Sequence, residues 1–88
     1  MKTDIRDAVN AALAGEWDRV HQIVQRYEDD PLACWIHAVA HKIEGDAANS
    51  RYWYSQTKHS YGEFADTAHE LAAIKRAVED GEKPKQSA

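Results

Sequence analysis

Two histidines, His37 and His41, stand four residues apart, and Glu44 follows three residues later. On an α-helix these spacings put all three side chains on one face. Imidazoles one turn apart can chelate a borderline metal ion, and a third imidazole from a neighbouring helix completes a three-nitrogen set. His21 is the candidate for that third position. The same groups have a plainer use: part-buried imidazoles bonded to Tyr54, Asn49 or a backbone carbonyl form a network that fixes how helices stack. That network is the simplest reading. The metal site is its alternative, with His21, His37 and His41 as ligands. A small-ligand or peptide pocket lined by His21, His37, His41, Glu44 and Tyr54 is a third use of the same side chains. No reaction is specified. The helix lacks the Glu directly after its first His that marks hydrolytic zinc helices, and no Gly-rich phosphate loop or serine nucleophile elbow is present.

The histidines lie inside a dense block from Trp35 to Tyr54 that ends in Tyr52-Trp53-Tyr54. Successive helical residues turn by about 100°, so three adjacent rings cannot all face one neighbour. Tyr54 is expected inside. Tyr52 and Trp53 are expected either to pack beneath the last helix, against Phe64 and Leu71, or to form an exposed contact surface. Cys34 reads as a small buried hydrophobe. His59 and His69 read as solvated surface.

Helical periodicity must position these groups, since strand-type alternation is nearly absent. A first helix is expected after Thr3 as N-cap, with Ile5, Val9, Ala12 and Leu13 on one face and Gly15 as its stop. A second carries Trp17, Val20, Ile23, Val24 and Tyr27 inward and ends near Glu28. Asp30-Pro31 opens a third, with Leu32, Trp35, Ile36, Val39 and Ile43 packed, and Gly45 closes it. The fourth starts at Asp46 and runs to about Thr57. The fifth starts near Tyr61 or Gly62. Its expected stripe is Tyr61, Phe64, Ala65, Ala68, Leu71, Ala72 and Val78, with Glu63, Asp66, Glu70, Lys75 and Glu79 turned to water. Counting levels from the turns brings His21 beside His37 and Asp18 beside His41, then Ser50 near His41 and Tyr54 near His37.

The chain repeats itself around its two turns. Leu13-Ala14-Gly15-Glu16 and Ile43-Glu44-Gly45-Asp46 are 30 residues apart, each preceded by an alanine (Ala8, Ala38) seven before the glycine. Val20 and Ser50 follow five after it. This pattern resembles the helix-turn-helix of tetratricopeptide repeats over roughly residues 4 to 57, with an offset of 30 where that family has 34. The block of Trp35, His37, His41, Glu44-Gly45-Asp46, Asn49 and Tyr52-Trp53-Tyr54 is also similar to short uncharacterised bacterial proteins. The resemblance implies helical-repeat geometry and brings no activity.

The expected fold is therefore all-α, with two stacked antiparallel helical hairpins and a C-terminal capping helix. One domain spans residues 1–80, and residues 81–88 form a flexible tail. At 88 residues with a single cysteine, the chain has no intramolecular disulfide to stabilise it. Eleven basic residues are scattered among fifteen acidic ones, for a net charge of −4. Nucleic-acid binding needs clustered basic charge and is disfavoured. No membrane-spanning run or signal peptide is recognisable, and the free thiol points to the cytoplasm. The leading functional expectation is a non-catalytic, helical-repeat-like binding module. Its partner is a protein or peptide, a second copy of the chain included, and the contact surface lies at Tyr52 and Trp53. The alternative is a small metal- or ligand-binding protein, an enzyme in its strongest form, using His21, His37 and His41. No cofactor is expected beyond that metal ion.

Overall fold

Two backbone turns with the same hydrogen-bond pattern organise the molecule. A computed structural model describes residues 2–82, and the side chains of 3–80. Helix α1 spans Lys2–Leu13, α2 Trp17–Val24, α3 Pro31–Ile43, α4 Ala47–Tyr54 and α5 Thr67–Glu82. No strand occurs among the described residues. After α1, the Glu16 amide donates to the Ala11 carbonyl (2.8 Å) and the Gly15 amide to that of Ala12 (3.1 Å). After α3, Asp46 donates to His41 (2.9 Å) and Gly45 to Lys42 (3.2 Å). Both are Schellman caps, which need a left-handed residue at the turn. Gly15 and Gly45 supply it, with φ of +77° and +83°. The equivalences extend inward, because Ala8, Ala38, Val20 and Ser50 are all fully buried.

Helix α3 is the centre of the fold. Asp30 caps it, accepting the Leu32 and Ala33 amides at 2.8 and 3.1 Å, with Pro31 at its first position. Every residue from Ala33 to Ala40 is buried, because α1, α2, α4 and α5 all pack around it. A helix apolar on all sides must be enclosed in this way. Small residues let the neighbours approach closely: the Ser50 hydroxyl of α4 donates to the Ala38 carbonyl at 2.7 Å. Cys34 is buried, as expected, with its thiol donating to the Glu28 carbonyl. Burial, and then the nearby Asp30, Glu28 and Asp29, push that thiol's pKa up.

Several boundaries differ from the expected ones. Thr3 lies within α1 rather than capping it, and Asp4 instead accepts the Tyr27 hydroxyl, joining the open ends of the first hairpin. Helix α2 stops at Val24 and α4 at Tyr54, each followed by turns. Ile43 is exposed. The largest difference is α5, which starts at Thr67. The Asp66 side chain accepts the Ala68 amide there, at 2.8 Å. Tyr61 and Phe64 belong to an irregular strap whose carbonyls accept the Lys42 ammonium at 2.8 and 3.1 Å. A lysine from α3 thus takes carbonyls that a helix would have used internally.

Helix α5 lies against α1 and α3, the first helix of each hairpin. Its buried stripe is Glu70, Leu71, Ile74 and Val78, whereas Ala65 and Ala68 are exposed. Glu70, which the sequence pattern turns to water, is wholly buried. Its carboxylate accepts Trp35 Nε1 (2.9 Å), the Tyr54 hydroxyl (2.5 Å) and Lys42 Nζ (3.1 Å). Three donors, one of them cationic, satisfy the charge that burial would otherwise penalise. Helix α5 continues through Gly81 to Glu82; the rest of the tail expected from residue 81 lies outside the described residues.

Candidate functional site: a three-histidine cluster

His21 comes from α2, and His37 and His41 from α3, so the cluster sits where the two hairpins meet. One nitrogen from each ring can be chosen so that all three lie within 4.8 Å of one another. His37 and His41 are near-parallel, with centroids 4.9 Å apart at 21°. His21 meets both edge-on, at 5.4 Å and 78° to His37 and 5.1 Å and 65° to His41. On its other side His37 stacks against Trp53, with centroids 4.1 Å apart at 19°. His37 is 4% exposed. His21 and His41 are about one-fifth exposed at the side chain, which makes them the solvent-facing rim.

The electrostatics grade across the cluster. Burial first, and then the neighbouring His41 and His21, lower the His37 pKa to about 4. The ring is therefore neutral at physiological pH and retains a free nitrogen lone pair. At the rim, His21 Nε2 donates to the Glu44 carboxylate, 2.9 Å from Oε2 and 3.2 Å from Oε1. His41 Nδ1 is shielded from solvent and has no hydrogen-bond partner. Its nearest acids are Glu44 Oε1 and Asp46 Oδ2, both at 3.6 Å. A buried ring nitrogen without a partner is uncommon in a folded protein and calls for an explanation.

The expected residues are only partly brought together. His21, His37, His41 and Glu44 converge. Tyr54 does not join them; its hydroxyl is committed to Glu70, and burial with that carboxylate pushes its pKa up. Asn49 bonds Asp46 rather than a histidine, and Asp18 is exposed. Trp53 takes the place expected for Tyr54. Of the two surplus rings, Trp53 is thus accounted for within the second hairpin, and Tyr52 is 56% exposed. His59 is not simple surface: it stacks on Trp35 at 3.6 Å and bonds Glu63. His69 is solvated as expected, 83% exposed beside Asp66.

A sequence signal for Trp53 did exist, since His37 and Trp53 lie equally far from Gly45 on either side. No protein-family model matches the chain, and no curated protein or solved structure matches it either.

Proposed function

We propose that this chain is a small helical metal-binding protein, holding one late first-row divalent ion between its hairpins through His21, His37 and His41. The observation that carries the reading is the unpartnered, solvent-shielded Nδ1 of His41 within a three-imidazole cluster. Imidazole suits zinc, nickel, copper and cobalt, and disfavours magnesium and calcium. One ligand belongs to the first hairpin and two to the second, so the ion would cross-link them and add its binding energy to folding. Metal analysis of protein purified without a histidine tag, beside His37→Ala, tests the proposal. One equivalent of metal, lost in the variant, supports it. No metal, together with a lower melting temperature for the variant, favours the structural network.

A second reading, the interaction module, draws on a different observation. Tyr52, Leu13 and Ile43 are the exposed large apolar side chains among the described residues. The inner faces of α1 and α3, which a two-hairpin repeat would offer as a groove, are covered by α5. A partner would then engage the Tyr52 side. Sedimentation over a concentration series, with Tyr52→Ala, tests it. Trp53→Ala would disturb the histidine cluster at the same time.

A further inference from the structure

We infer that Glu44 is the fourth ligand of this metal site, which makes the site a closed, structural one without an open position for chemistry; this rests on the reading of the histidine cluster just proposed. Four ligands at about 2.0–2.1 Å around a tetrahedral ion stand about 3.3–3.4 Å apart. His21 Nε2 lies 2.9 and 3.2 Å from the Glu44 oxygens, and His41 Nδ1 lies 3.6 Å from Glu44 Oε1. Two edges of the tetrahedron therefore stand within a few tenths of an ångström of their liganded length, both meeting at Glu44. A nitrogen of His37 lies within 4.8 Å of one from each of the other two rings, which brings the third imidazole to the same side of the cluster.

The ion would enter where the hydrogen between His21 and Glu44 now sits. His21 would ligate through Nε2, with the proton of that nitrogen displaced to Nδ1 of the same ring or to water. Asp46 competes for the role on distance alone, since its Oδ2 is also 3.6 Å from His41 Nδ1. Its carboxylate is already engaged, accepting the Asn49 amide at 3.3 Å and Asn49 Nδ2 at 2.7 Å as the cap of α4. The Glu44 carboxylate, by contrast, faces His21 and His41. Its backbone is held at the α3 C-cap, where its amide donates to the Ala40 carbonyl.

Cobalt(II) titrated into chelator-stripped, untagged protein tests the assignment, read by visible absorption with and without excess azide. The wild type should give intense tetrahedral bands that azide leaves unchanged. Glu44→Gln should bind cobalt at least about tenfold more weakly, a loss in the range expected when a ligand or its support is removed. Its bands should shift with azide, because an anion can enter the vacated position. Circular dichroism checks that this half-exposed site tolerates the change. Azide-sensitive bands in the wild type would overturn the closed site while leaving three histidine ligands. A Glu44→Gln spectrum and affinity equal to wild type would remove Glu44 from the ligand set. No cobalt bands in the wild type would overturn the metal site itself.

Discussion

Trp53 lies flat on His37, with ring centroids 4.1 Å apart and planes 19° from parallel. An indole stacked on a candidate metal ligand is a built-in reporter. Copper(II) bound at the cluster should quench tryptophan fluorescence with one-to-one stoichiometry, and Trp53→Phe should remove most of the quenching while Trp17→Phe leaves it. Equal quenching in wild type and Trp53→Phe would place the ion elsewhere.

Glu70 is a wholly buried carboxylate held by three donors, and removing a partner should be costly. Lys42→Met leaves a buried carboxylate without its cation, which typically destabilises by about 3–5 kcal/mol. The double variant Lys42→Met/Glu70→Gln should be destabilised by less than the sum of the singles, because neither charge is then stranded. Chemical denaturation of the four proteins measures this cycle. Strict additivity would mean that the pair does not interact as described.

The left-handed turns make a narrower prediction. A Cβ at Gly45 would meet nothing within 4 Å, so the penalty of Gly45→Ala is that of its backbone conformation alone, about 1–2 kcal/mol. Gly45→Asn should lose less, since Asn tolerates this region better. At Gly62, which also has open space and no positive φ, Ala should be neutral or mildly stabilising. Thermal melts rank the three.

Which features were legible follows from how local their causes are. The hairpin turns at Gly15-Glu16, Asp30-Pro31 and Gly45-Asp46 rest on backbone chemistry within a few residues, and they stand where the pattern places them. His37 and His41 share a face for the same reason, and the short Asp29-Asp30 connection brought His21 opposite them. The start of α5 did not follow, because Tyr61 and Phe64 carry helix-like spacing while their carbonyls go to Lys42, about twenty residues earlier. Glu70 looked solvated among acids, and only Trp35, Tyr54 and Lys42 from other elements explain its burial. Choosing Trp53 over Tyr54 as the ring beside His37 needed a rotation of one residue, about 100°, which level counting does not resolve.

The histidine cluster also sets a pH dependence for the metal-free protein. Folded His37 takes up its proton only near pH 4, whereas the unfolded imidazole does so near 6.5. Between those values the unfolded state holds more protons, so stability falls as pH drops through the window. His21 and His41 face the ring from α2 and α3, and Trp53 covers it from α4. With chelator present, unfolding midpoints at pH 7, 6, 5 and 4 should decline, and His37→Gln should flatten the curve. A midpoint independent of pH would mean that this ring protonates alike in both states.

The central claim, a metal ion held by His21, His37 and His41, is tested most directly by calorimetric titration of zinc into chelator-stripped, untagged protein. The wild type should show one site per chain, lost in both His41→Ala and His37→Ala. Wild-type protein that takes up no zinc, or His41→Ala protein that binds it unchanged, would contradict the claim.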